Sequence, residues 1–128
     1  MPFYSIDITV PAQQTVEREL EIEGEAVTWF FLRFPPGPCG LLEVSVFYGE
    51  KKIWPSEEDQ VFKGDNEWIY FQEEWPLPET PCKLRIVAQN KDDTYEHSCF
   101  LRLKTRPIKE SKTVKFRVTP EGFIEVAL

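Results

Sequence analysis

The chain has 128 residues and a formal net charge of −7, with 41% apolar residues and 10 Phe, 4 Tyr and 4 Trp. This length suits one domain with an ordinary core, and the apolar and aromatic content excludes a disordered chain. The negative charge argues against nucleic-acid binding, which needs a basic surface, and no apolar run reaches the ~20 residues of a membrane helix. We therefore expect neither a nucleic-acid partner nor a membrane partner.

The start of the chain and its cysteines bear on the cellular compartment. The first residues lack the basic region of a secretory signal peptide and include Asp7, which predicts synthesis in the cytoplasm without a signal peptide. Three cysteines, Cys39, Cys82 and Cys99, form no CxxC pair, and an odd count favours free thiols. Many Glu and Lys residues with few Asn, Met and His resemble the composition of thermophile proteins.

Apolar and polar residues alternate with a period of two through most of the chain, which is typical of half-buried β-strands. Gly, Pro, Asn and Asp separate these segments. The predicted strands, in chain order, are 3–10, 15–22, 26–34, 41–48, 53–55, 67–72, 82–89, 96–105, 113–119 and 122–128. This pattern predicts an all-β fold, an antiparallel β-sandwich of jelly-roll or immunoglobulin-like type, followed by a C-terminal β-hairpin.

Several connections can also be predicted. Residues 35–40 should form a loop, because their prolines remove backbone donors, and 49–52 should form a turn. Residues 56–66 are predicted to be a surface loop or a short edge strand, and a proline-rich corner should follow Trp75. Segments 82–89 and 96–105 are expected to pair as a hairpin around 90–94, with Cys99 near Ile86 and Cys82 near Leu103.

The alternation also assigns each apolar residue to a face. In 26–34, Phe30, Leu32 and Phe34 share one face, whereas Val27, Trp29 and Phe31 share the other. The predicted core between the sheets consists of the apolar residues at alternate positions of the central strands. These residues are Leu32, Val44, Val46, Leu84, Ile86, Leu101 and Leu103. Trp29, Phe31, Phe47 and Phe100 point away from this core, and such a surface is rarely left bare in a monomer.

The C-terminal region is predicted to be a separate unit, so that 1–106 form the sandwich and 107–128 a basic linker and hairpin arm. Residues 104–117 have a local net charge of +5, which leaves −12 for the remaining chain. The turn 119–122 has Pro second and Gly fourth, which suits a type I hairpin turn. The hairpin should dock on its own sandwich or a neighbour's, with predicted interface residues Trp29, Phe31, Phe100, Val114, Phe116, Val118, Ile124 and Val126.

Catalytic and metal-binding patterns are weak. His97, the only histidine, lies two residues from Cys99, but no third group is indicated, so we expect no enzyme active site. Acidic residues in 64–67 and 92–93 could bind calcium, yet Asp and Asn at turns are explained by hydrogen bonds to nearby backbone. We therefore predict no catalytic, cofactor or metal site.

Three tryptophans near strand ends or proline-rich corners suggest a second possibility. Trp54, Trp68 and Trp75 could stack on a sugar ring, or they could cap the ends of the sandwich. The alternative to a protein interface is therefore a carbohydrate-binding module with a glycan ligand.

Three segments carry a resemblance to a known group of proteins. They are FPPGPCGLLEV at 34–44, IWP at 53–55 and AQNKDDTYEH at 88–97. Across roughly residues 10–104 the chain resembles small β-sandwich proteins encoded by bacterial and archaeal viruses or integrated prophages. The resemblance implies an assembly or surface role in a virus particle, and no functional residues carry over from it. The expected function is a non-enzymatic structural or interaction module that self-associates, as a homo-oligomer or a virion accessory subunit.

Overall fold

The computed structural model describes residues 2–108 together with the backbone of two strands, 115–118 and 124–127. The regular structure of these residues is entirely β. The strands are β1 (Phe3–Val10), β2 (Thr15–Ile22), β3 (Ala26–Phe34), β4 (Leu42–Tyr48), β5 (Lys51–Trp54), β6 (Glu67–Pro76), β7 (Cys82–Asn90), β8 (His97–Arg106), β9 (Lys115–Val118) and β10 (Ile124–Ala127). No helix able to cross a bilayer occurs among the residues that the structure describes.

Eight strands form two four-stranded antiparallel sheets, with strand orders β1-β8-β3-β6 and β2-β7-β4-β5. The pairs are nested, because β1 pairs with β8, β2 with β7, β3 with β6 and β4 with β5. The eight strands therefore follow the path of one long hairpin, and its successive strand pairs lie alternately in the first and the second sheet. Immunoglobulin domains instead pair consecutive strands such as A and B within one sheet. The β-sandwich prediction is confirmed, and the strand order identifies the jelly-roll form.

The core lies between the two sheets. All seven predicted core residues are fully buried, which confirms the facing assignment of the central strands. Phe30 is at the centre of an aromatic cluster, with ring centroids 4.8 Å from Phe71, 5.3 Å from Phe62 and 5.4 Å from Trp54. Aromatic pairs at such distances add to the stabilisation from burial alone.

The predicted hairpin between 82–89 and 96–105 is wrong. β7 pairs with β2 and β4, whereas β8 pairs with β1 and β3 in the other sheet. In the strand registers Cys99 therefore lies opposite Ile8 and not Ile86, and Cys82 lies opposite Ile22 and not Leu103. Both strands have one apolar face, and in a sandwich those faces can meet the same core from opposite sides. Six residues separate the two strands, which is longer than the usual hairpin loop of two to five residues.

Smaller differences concern strand ends and facing. β5 begins at Lys51, inside the predicted turn, and β6 continues to Pro76, inside the predicted corner. β6 is an edge strand, where a proline costs no ladder hydrogen bond. A β-bulge between Val27 and Trp29 puts Val27 in the core, so the prediction that these two residues share a face is wrong.

The C-terminal strands β9 and β10 form an antiparallel two-stranded sheet. The Cα register pairs Val118 with Ile124 and Phe116 with Val126, in agreement with the predicted hairpin. Val114 and the predicted turn at 119–122 lie outside the described residues. The division of the chain at residue 106 stays a prediction.

Candidate interaction face

The outer surface of the β1-β8-β3-β6 sheet has a regular arrangement of aromatic and basic residues. Three cross-strand rows can be read from the registers of its strand pairs, and each row contains two aromatic residues and one cation. From β6 to β1 the rows are Trp68, Arg33, Phe100 and Asp7; Tyr70, Phe31, Arg102 and Ser5; and Gln72, Trp29, Lys104 and Phe3. We call these twelve residues the aromatic–cation face.

Two of the three cations of this face lie against its rings. The Arg33 guanidinium carbon is 5.3 Å from the centroid of Trp68, and Lys104 Nζ is 4.9 Å from that of Trp29. Trp29 is also stacked on Phe31, with centroids 5.5 Å apart. An exposed cation–π pair contributes about 0.5–1 kcal/mol. These contacts hold the rings of Trp29, Phe31 and Trp68 in defined positions.

Hydrogen bonds hold the arginines of the face in place. Arg33 donates to the Phe34 carbonyl at 2.7 Å and to Asn66 Oδ1 at 3.0 Å. Arg102 donates to Asp7 Oδ1 at 2.8 Å. Asp7 is the only carboxylate in the three rows, so the face has a net positive charge although the chain as a whole is acidic.

Much of this aromatic surface is open to solvent. Trp68 and Tyr70 are each 64% exposed and Phe3 is 55% exposed. Large aromatic side chains on one contiguous surface mark interaction sites, because monomeric proteins rarely expose extended apolar patches.

The outer surface of the β2-β7-β4-β5 sheet is different in character. It carries ion pairs between Lys83 and Glu19 at 4.0 Å and between Arg85 and Glu17 at 3.5 Å. Phe47 is the aromatic residue on the outer side of these four strands, and the Arg85 guanidinium lies 4.7 Å from its ring centroid. Exposed ion pairs contribute little to stability and are ordinary for a solvated surface.

The bulge in β3 is what turns Val27 inward while Trp29 stays on the outer face. Between Val27 and Trp29, β3 advances by two residues while β8 advances by one, so β3 has one extra residue at Thr28 relative to β8. Opposite β6 the extra residue is on the partner strand, which advances by three residues from Trp75 to Gln72. Without the extra residue at Thr28 the strict alternation that holds from Phe30 to Phe34 would leave Val27 on the outer face. Bulges re-aim side chains in this way at functional surfaces.

The structure brings together on one face some of the predicted interface residues and one of the tryptophans predicted to stack on a ligand. Trp29, Phe31 and Phe100, predicted as an interface, share the face with Trp68, predicted to stack on a ligand. Phe3 and Tyr70 and the three cations were not predicted. The alternation in β6 already put Trp68 and Tyr70 on one side, but only the pairing of β6 with β3 shows which side that is.

Two of the predicted stacking tryptophans lie elsewhere. Trp54 is 4% exposed, packs on Phe30 and Trp75, and donates from Nε1 to Glu73 Oε2 at 3.0 Å. Trp75 packs edge-on against Trp54 and against Tyr48. The buried ring of Trp54 cannot serve as an exposed stacking surface, and Trp75 belongs to the margin of the core.

His97 and Cys99 do not form a nucleophilic pair. His97 Nε2 is 2.7 Å from Asp92 Oδ2, and Cys99 is fully buried. Burial, with a smaller effect of Asp7, raises the pKa of Cys99 to about 12, so the thiol stays protonated. A protonated, inaccessible thiol is neither a nucleophile nor a metal ligand.

The acidic loops are explained by local hydrogen bonds. Asp65 Oδ1 accepts the backbone N–H groups of Gly37 at 2.7 Å and Cys39 at 3.2 Å, and these bonds lower its pKa. Asp92 accepts the N–H groups of Thr94 and Tyr95. Within the described part of the chain no three His, Cys, Asp or Glu side chains are grouped as metal ligands would be.

No protein-family model matches the chain, and no curated protein matches it. Among solved structures, the crystal structure of PirA is similar, with 15% sequence identity and a TM-score of 0.45 over 79% of this chain and 94% of PirA.

Proposed function

We propose that this chain is a non-enzymatic structural module that self-associates through the aromatic–cation face. The observation that supports this is the repeated row of two aromatic residues and one cation on one sheet, beside an ordinary charged surface on the other. Such a role agrees with the assembly function in a virus particle that the sequence resemblance implies. Jelly rolls form both viral capsid and lectin domains, so the fold alone favours neither use.

The open aromatic residues provide the driving force for association. A Phe, Tyr or Trp side chain buries about 150–250 Å² when covered, and each Å² of apolar surface removed from water contributes about 25 cal/mol. Large aromatic and arginine side chains are also the residue types that carry most of the binding energy at protein interfaces. Because contacts within the sheet restrain the rings of Trp29 and Phe31, less conformational entropy is lost on binding.

The test is the mass of the particle in solution, measured by light scattering across a concentration series. We expect the wild-type chain to exceed its monomer mass of 15.0 kDa and the double variant Trp68→Ser/Tyr70→Ser to approach it. Both side chains are 64% exposed, so the variant should keep its fold, as a thermal melt can show. Phe47→Ser removes an aromatic residue from the opposite sheet and serves as the matched control. A wild-type chain that stays monomeric at all concentrations would refute the proposal.

The alternative is a carbohydrate-binding module on the same face. It is favoured by the open ring of Trp68 and by a groove of about 400 Å³ beside Trp29, lined by Gln72 and Lys104 among others. A glycan that stacks on an indole changes tryptophan emission. If soluble oligosaccharides quench the fluorescence of a monomeric wild-type chain but not of Trp68→Ser, the glycan function replaces self-association.

A further inference from the structure

We propose that the aromatic–cation face is covered by the C-terminal hairpin of a second copy, so that the chains associate head to tail. This inference rests on the self-association proposed above and names the segment that binds. It excludes a symmetric contact between two identical faces.

The charge of the face opposes pairing with itself. The three rows contain three cations and only one acid. The cations are Arg33, Arg102 and Lys104, and the acid is Asp7. Two such faces in contact would bring net positive charge against net positive charge, and like charges across an interface cost free energy. The face therefore needs a partner surface that is apolar and lacks cations.

The hairpin has such a surface. Directly opposed residues of an antiparallel pair lie on the same side, and neighbours along a strand lie on opposite sides. The register therefore groups Phe116, Val118, Ile124 and Val126 on one side of the two-stranded sheet. Its charged residues, Lys115, Arg117 and Glu125, occupy the other side. An isolated two-stranded hairpin is only marginally stable in water, so an apolar side of this kind needs a cover.

The occupant follows from two points together. The chain is proposed to self-associate through this face, and two such faces repel each other, so the hairpin that covers the face comes from a second copy.

Strand addition at the free edge of β6 is disfavoured. Glu73 points toward the interior, where it accepts a hydrogen bond from Trp54 Nε1, and Pro76 ends the strand. Inward-pointing charges and prolines are features that protect edge strands from pairing with other chains. The hairpin should therefore pack flat on the face, at the ~10 Å spacing of stacked sheets.

Head-to-tail contacts use two different surfaces, so they close into a ring or continue as an open chain. This property allows a test by mixing two full-length variants. One carries Trp68→Ser/Tyr70→Ser in the face and an intact hairpin; the other carries Phe116→Lys in the hairpin and an intact face. We expect each variant alone to be a monomer and their mixture to form a 1:1 dimer that does not grow, as measured by light scattering.

A matched control separates the two sides of the hairpin. Arg117→Gln changes the charged side and should leave association unchanged, whereas Phe116→Lys should abolish it. If the wild-type chain associates and Phe116→Lys associates equally well, the hairpin is not the partner and only this inference fails. If both variants are monomeric and their mixture does not pair, the contact is symmetric and the inference fails again. A wild-type monomer would instead refute the self-association on which both proposals depend.

Discussion

The three cysteines differ in surroundings although all are free thiols. Cys39 is exposed in the loop between β3 and β4, whereas Cys82 and Cys99 are fully buried in opposite sheets. Burial raises the pKa of both interior thiols, that of Cys99 to about 12. Since the thiolate is the reactive form, chemical modification should distinguish the exposed cysteine from the buried pair.

We predict that a thiol reagent modifies one cysteine rapidly in the folded protein and all three in denaturant. Cys39→Ser should abolish the rapid phase and leave the other two thiols to react at the unfolding rate. A count of one per chain in denaturant would reveal a disulfide, and rapid modification of more than one in the native protein would show that the sandwich interior is open.

Asp92 stabilises the loop between β7 and β8 through hydrogen bonds. It accepts hydrogen bonds from Thr94 N at 2.9 Å and from His97 Nε2 at 2.7 Å. The buried Asn90 beside it donates to the carbonyls of Val10 and Tyr95. The Thr94 N–H, followed by the bond to His97, lowers the pKa of Asp92 below its ordinary 3.8. The loop that passes from one sheet to the other between β7 and β8 is thus stabilised by an ionised carboxylate.

A carboxyl group with a lowered pKa stabilises the folded state above its unfolded pKa, and this stabilisation is lost as the pH falls through the folded value. We predict that Asp92→Asn lowers the melting temperature at neutral pH and that the difference from wild type shrinks below pH 3.8. Asp93→Asn, at the exposed neighbouring position, is the control and should have a small effect. A difference between wild type and Asp92→Asn that stays constant with pH would contradict this account.

At the level of the strands, the alternation within β7 makes a quantitative prediction. Ile86 is fully buried and lies opposite Val46 of β4. Truncation to Ala removes buried methyl groups and leaves a cavity, so Ile86→Ala should lower the free energy of unfolding by about 2–5 kcal/mol. The measurement is denaturant unfolding.

The next residue provides the control for this prediction. Val87 lies on the outer side of the same strand and is half-buried, so Val87→Ala should cost clearly less. Equal effects of the two substitutions would mean that the two faces of β7 are packed alike.

For the whole molecule, the nested pairing predicts that the sandwich folds without its C-terminal region. The eight strands of the two sheets pair with one another, and the buried apolar cluster between them already spans residues 8–103. Deletion of 107–128 should therefore leave a cooperative thermal transition and lower the mass of the particle in solution. Loss of the transition would show that the hairpin belongs to the core of its own chain and would refute the predicted division at residue 106.

The sequence by itself determined the class of fold, most strand positions and the inward phase of each central strand. These follow from local chemistry, because a period of two specifies a half-buried strand and prolines and glycines mark its ends. The same local pattern could not decide whether β7 and β8 pair with each other, since two strands with one apolar face fit equally well side by side or across a core. Nor did it show the bulge that turns Val27 into the core, because alternation alone carries no mark of an extra residue.

Only the tertiary structure assembled the candidate site. Trp68 and Tyr70 are distant in sequence from Phe31 and Phe100, and they share a face because β6 pairs with β3 and β3 with β8. The same packing buried Trp54, whose position beside a proline gave no indication of depth. Local patterns determine which side of a strand is apolar, whereas the long-range pairing of strands decides which residues meet the core and which come together on the outer face.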